Sequence, residues 1–137
     1  MTYAKPLPEP SAVTRPFWDG LREGRLRLQR SRTTGQWVFY PRAVSPFGAG
    51  DELDWQDASG RGTVYSFTIA RRPTAPQWEG ETPYVIAIVE LAEGPRLITN
   101  IVGCDPESVR IGMPVTAEFT AVTDEVTLLH FRPAPPA

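Results

Sequence analysis

Hydrophobic and polar positions alternate along much of this 137-residue chain. Strict alternation is the mark of a strand with one buried face. Arg25 to Arg30 alternates in this way and puts Leu26 and Leu28 on one side. Trp37 to Tyr40 is a second β-rich run, stopped by Pro41. The residues between them, Ser31 to Gly35, predict a tight turn. A second turn follows at Ser45 to Gly50, and Glu52 to Asp57 alternates again. The front of the chain is therefore expected to be a small hairpin module with two knuckle-like turns.

One helix is expected ahead of it. Thr14 can cap the segment, Pro16 suits its first turn, and Gly24 can end it. Phe17, Trp18 and Leu21 would share one apolar stripe. Gly20 lowers its helix propensity, so the element should be brief and need a docking surface.

The texture changes at Ser59. Strands are expected at Arg61–Ile69, Tyr84–Leu91, Arg96–Val102, Val115–Ala121 and Val126–Phe131. Pro73, Pro76 and Gly80 break the segment from Arg71 to Thr82 into a loop. Asp105 and Pro106 open a helical turn between the third and fourth strands. Five strands with a helix at that point is the plan of an OB-fold barrel, whose closure removes exposed sheet edges. The fold class read here is mostly β. Residues 1–13 are expected to be a flexible leader, 14–58 the helix and hairpin module, 59–132 the barrel, and 133–137 a flexible tail.

Charge narrows the function. The net charge of -2 argues against a nucleic-acid protein, which needs a clustered positive excess. Arg22, Arg25, Arg27, Arg30 and Arg32 do cluster. They suit either a solvated strand face or a surface for an anionic partner. A single cysteine, Cys104, forbids an intrachain disulfide and fits a reducing, cytoplasmic setting. No apolar run approaches the ~20 residues of a membrane span, and the first ten residues do not read as a secretory signal.

Catalytic groups are hard to find. His130 is the only histidine, and it sits on the last strand. Cys104 stands before a helical turn, where the dipole would favour a thiolate but the adjacent Asp105 opposes it. No nucleophile has a base at a recognisable spacing, and no phosphate loop is present.

In the two turns, Ser31 and Thr34 stand three apart, as do Ser45 and Gly48. With cysteines at those positions the pattern would be a four-cysteine zinc ribbon; on spacing alone it carries nothing. The flanking segments carry more. In order they are Phe17-Trp18 with Gly20-Leu21, Gly24-Arg25-Leu26, Phe39-Tyr40-Pro41-Arg42, Ser59 to Thr68, Pro83-Tyr84-Val85 and Gly112-Met113-Pro114-Val115. Together they resemble the zinc-ribbon/OB-fold accessory proteins of acyl-CoA enzymes, known as domain-of-unknown-function family 35. The resemblance covers about residues 14 to 132.

It implies a degenerate, rubredoxin-like ribbon, with Ser31, Thr34, Ser45 and Gly48 where the family has cysteines. Hydroxyls that stay protonated near neutrality are poor zinc ligands, and glycine offers none, so no zinc or other cofactor is expected. Either apolar packing by Trp37, Phe39, Tyr40, Phe47 and Trp55 would then have to stand in for the metal, or a partner would have to hold the module.

The resemblance also implies a function. Such proteins associate with thiolase-fold enzymes (thiolases, acyltransferases, steroid side-chain aldolases) or with hot-dog-fold hydratases, and complete an acyl-CoA channel. On that reading the chain is a non-catalytic subunit of a hetero-oligomer, with no nucleic acid or membrane partner. Arg71 and Arg72 would take the phosphates of coenzyme A, and Trp78 and Tyr84 would line the same mouth. Phe17, Trp18, Leu21, Phe39 and Tyr40 would touch the partner. A stand-alone acyl-CoA binder and an OB-fold single-strand nucleic-acid binder are the alternatives.

Overall fold

The computed structural model describes residues 3–135, and residues 1–2 and 136–137, the extremes of the expected leader and tail, lie outside the described residues. Helix α1 spans Arg15–Arg22 and opens the fold. Its Phe17 and Leu21 are buried, and Gly24, at φ +74°, turns the chain out of the helix. The Arg25 N–H donates to the Gly20 carbonyl at 2.8 Å, which satisfies one free end of the helix. The expected cap is different. The Thr14 hydroxyl accepts from the Ser11 N–H at 2.8 Å and makes no bond to the helix. Thr14 already has helical backbone angles, which carry its side chain away from the first-turn amides.

Strands β1 (Arg27–Ser31), β2 (Trp37–Val38) and β3 (Leu53–Asp57) form an antiparallel sheet in the order β2-β1-β3. Leu26 and Leu28 are buried beneath it. Gln29, also buried, donates from its amide to the Arg42 carbonyl and accepts from the Arg42 N–H, both at 2.7 Å. This paired bond ties the loop after β2 to the sheet and leaves no buried amide unsatisfied at that point.

The second unit is a closed barrel of β4 (Arg61–Ala70), β5 (Tyr84–Leu91), β6 (Arg96–Ile101), β7 (Pro114–Ala121) and β8 (Thr127–Pro133). The strand order is β4-β5-β6-β8-β7, and β7 returns to pair with β4. The one parallel contact joins β6 to β8, where Ile101 faces Phe131. A short 3-10 turn at Pro106–Ser108 precedes β7, and the Asp105 carboxylate caps it by accepting from the Glu107 N–H. This is the expected OB-fold. The tail boundary moves, however. Pro133 lies within β8, opposite Val115, and the Ala134 N–H donates to the Pro114 carbonyl. A proline without an N–H is tolerated at the end of a strand, so it does not stop the ladder sooner.

The helix, the sheet and the barrel share one core. Phe17, Leu21, Leu26 and Leu28 pack in the same cluster as Val64, Val85, Val89, Val115 and Phe131. Gly62 marks the tightest approach, where β4 meets both β5 and β7. A Cβ there would sit 2.7 Å from the Glu90 carbonyl oxygen and 2.7 Å from a Val89 methyl. Gly62→Ala is therefore expected to destabilise the barrel by about 1–3 kcal/mol, as overpacking does. A thermal midpoint equal to the unaltered chain would contradict that.

Candidate functional site

One end of the barrel gathers the expected ligand residues. Ala70 pairs with Tyr84, so Arg71 and Arg72 leave β4 where Tyr84 enters β5. The intervening loop folds back through a 3-10 turn at Pro76–Trp78. This stacks the Trp78 indole on the Tyr84 ring at 5.4 Å between centroids and 25° between planes. The Lys5 ammonium lies over the Trp78 ring at 4.9 Å and pairs with Glu81 at 3.1 Å. The segment expected to be a leader thus lies against the barrel here. Arg71 reaches the 3-10 turn before β7 and pairs with Glu107 at 2.7 Å. Arg72 is exposed and has no ion pair among the described residues. Lys5 was missed from sequence because nothing in a proline-rich terminus says which surface it will cross.

The expected partner stripe is corrected by burial. Phe17 and Leu21 are 3% and 1% exposed and pack on this chain's own sheet and barrel. An eight-residue helix cannot stand alone in water, so its apolar stripe is consumed in holding it in place. Trp18 is half-buried, edge-on to Phe17 at 5.0 Å. Phe39 packs on the core, 5.7 Å from Phe17. Only Tyr40 of the five is well exposed.

The free apolar surface lies on the outside of the barrel. A bulge between Val64 and Ser66 turns Tyr65 outward. Ile88 faces Ile98 across β5 and β6, and Ile86 is two residues along on the same side. Ile98 is 75% exposed. A shallow cleft of about 470 Å³ runs between Phe39 and this face, lined by Tyr65, Ile88, Arg96 and Ile98. The Arg96 guanidinium covers the Tyr65 ring at 3.8 Å and pairs with Glu90 at 2.9 Å, forming a charged rim.

The arginine cluster is largely neutralised within the front sheet. Arg27 pairs with Glu23 and Asp57, and Arg25 also reaches Asp57. Arg32 pairs with Asp54 and Glu52, and Arg30 lies over the Trp37 ring. Arg25, Arg27, Arg30 and Arg32 thus make a solvated, largely ion-paired face on the front sheet, while Arg22 ends α1.

The two knuckles come together around an acid. Ser31 and Ser45 are buried, and both hydroxyls donate to Oδ2 of Asp51, Ser31 at 2.7 Å. The Thr33 N–H donates to the other carboxylate oxygen at 3.1 Å. Thr34 contributes its N–H, which donates to the Ser31 hydroxyl at 3.0 Å. Gly48 has φ +147°, a backbone conformation that a side-chain-bearing ligand rarely adopts. Sequence reasoning missed Asp51, since its turn was read for what stood at the cysteine positions.

His130 has a structural environment. Its Nδ1 lies 3.2 Å from the Thr120 hydroxyl, and burial, then the charge of Lys5, lowers its pKa from the usual 6.5. Cys104 is half-buried against the core.

Comparison with known proteins joins these features. Residues 18–44 match the family model for the ChsH2 rubredoxin-like zinc ribbon domain, and residues 55–120 match that for the ChsH2 C-terminal OB-fold domain. The chain belongs to the ChsH2-type DUF35 family. A DUF35 domain-containing scaffold protein of Pyrococcus furiosus is 30% identical over 91% of this chain and 95% of its own length. A probable enoyl-CoA hydratase alpha subunit of Thermomonospora curvata is 40% identical over 88% of this chain. The 3-oxo-4,17-pregnadiene-20-carboxyl-CoA hydratase alpha subunit of Mycobacterium tuberculosis is 38% identical over 85%. The chain spans only 37% and 39% of the lengths of these two hydratase subunits. Among solved structures, a chain of the Ltp2-ChsH2(DUF35) aldolase superposes with a TM-score of 0.82 at 35% identity, covering 93% of this chain and 98% of that one.

The ribbon of a DUF35 protein implies zinc, and the donor set here does not suit it. Among the described residues no cluster of three or more His, Cys, Asp or Glu could hold a metal ion. No helix among them is long and apolar enough to cross a membrane.

Proposed function

We propose that this DUF35 chain is a non-catalytic accessory subunit of an acyl-CoA-processing complex, docked on a thiolase-fold aldolase or acyltransferase or on a hydratase. The observation that carries this reading is the end-to-end likeness to the DUF35 chain of the Ltp2-ChsH2(DUF35) aldolase, which is named for two components. The hydratase names of two relatives point to the same class of substrate. The chemistry would then belong to the partner, in keeping with a His130 held in packing and a Cys104 half-buried against the core.

Each subunit surface has a part in this reading. The Arg71, Arg72 and Lys5 end of the barrel supplies cations and the Trp78–Tyr84 stack, a combination suited to the phosphates and adenine of coenzyme A. The Arg71–Glu107 pair is solvent-exposed and weak, so a phosphate can displace it. The apolar outer face around Ile98 takes the partner subunit, because a charged rim around an exposed apolar centre is the anatomy of a protein interface.

The test is capture of the tagged full chain from its native host, followed by mass spectrometry and size-exclusion chromatography. An aldolase-like, thiolase-like or hydratase-like acyl-CoA enzyme should co-elute in fixed stoichiometry. A monomer that binds acyl-CoA tightly with no partner would overturn the subunit reading.

A further inference from the structure

The knuckles keep the design of a metal centre with its polarity reversed. In a zinc ribbon, acceptor thiolates converge on a cation. Here donor hydroxyls converge on an anion. The Thr34 and Phe47 amides each donate at 3.0 Å to Ser31 and Ser45 oxygens, which frees those hydroxyl hydrogens to point at Asp51. The first knuckle, the second knuckle and the segment leading into β3 are thus joined at one carboxylate, which also accepts from the Thr33 amide. We propose that the Asp51 carboxylate has replaced the zinc ion as the cross-link of this ribbon, so that the module folds and holds its loops without metal.

Several observations support the exchange. A metal site needs ligands that shed protons on binding, and serine hydroxyls do not do so near neutrality. A carboxylate needs donors, and Ser31, Ser45 and the Thr33 amide fill both of its oxygens. The neighbouring acids do not compete for the donors, since Asp54 and Glu52 are both held by Arg32. Bonding by Ser45 first and Ser31 second keeps Asp51 ionised well below the ordinary carboxylate range. The two devices are mutually exclusive: thiolates at positions 31 and 45 would repel the Asp51 carboxylate at the distance that the hydroxyls now bridge. This inference concerns how the ribbon is held and does not depend on the identity of the partner.

The test uses the full chain. Elemental analysis of the purified protein should find well under one zinc per chain, and a chelator should leave the thermal midpoint unchanged. Asp51→Ala should raise the rate of tryptic cleavage after Arg42 by about tenfold, because the loop between the knuckles loses its tether. Asp51→Asn, which keeps one acceptor oxygen, should fall between the two. Should Asp51→Ala prove insoluble, Ser45→Ala removes one arm of the cross-link and should give faster cleavage by the same assay. About one zinc per chain, a midpoint lowered by chelator, or cleavage of Ser45→Ala and Asp51→Asn at the unaltered rate would overturn the proposal.

Discussion

Ile98→Asp should reduce capture of the partner subunit by about thirtyfold or more while leaving the barrel folded. The first half follows from position. Ile98 is 75% exposed in the middle of β6, with Ile88 directly opposite and the Tyr65–Arg96 pair beside it. Centres of interfaces are where truncation costs about 2 kcal/mol or more, and each 1.4 kcal/mol is about tenfold in affinity. A carboxylate buried there without a partner adds a desolvation cost to the lost contact. The second half follows from exposure. Side chains that already face water change stability by less than about 1 kcal/mol, mostly through strand propensity. Ile111→Asp makes a suitable control, since Ile111 is 71% exposed but lies outside the cleft at Phe39. Equal capture by the Ile98 and Ile111 variants would remove the barrel face from the interface.

The barrel was legible in the sequence because its strands alternate and its breaks fall at Pro and Gly. Tyr84 to Leu91 reads inward and outward by turns, and the structure buries Val85, Ala87, Val89 and Leu91. Its boundaries were less legible. Pro133 looked like the start of a tail, although a strand can end on a residue that has no hydrogen to donate. The front module was legible as hairpins but not as a site. Nothing in the spacing of Ser31 and Ser45 says that a residue some way off, Asp51, will accept from both. That is a matter of three-dimensional closure, which periodicity cannot carry. The same limit explains the helix stripe. Phe17 and Leu21 are apolar at the right spacing for any apolar surface, and the sequence does not state whether that surface is the chain's own or another's.

Leu21→Ala separates those two possibilities. Leu21 is 1% exposed in a core that runs from the front sheet into the barrel, and α1 packs on β1, β7 and β8. Removing its side chain should cost about 2–5 kcal/mol, the range for buried leucines. For a domain of this size that lowers the thermal midpoint by roughly 5–20 °C. Because Phe17 and Leu21 share one cluster with Val64, Val115 and Phe131, the loss should be felt as a single transition. With Trp78 of the barrel loop replaced by Phe, tryptophan fluorescence reports the front module through Trp18, Trp37 and Trp55, and far-ultraviolet dichroism reports mainly the barrel strands. The two curves should fall together. Partner capture measured well below the midpoint should be preserved, since the altered atom never reaches the surface. A front module that melts first, or capture lost while the fold is intact, would mean that the helix belongs to the partner's interface rather than to this chain's core.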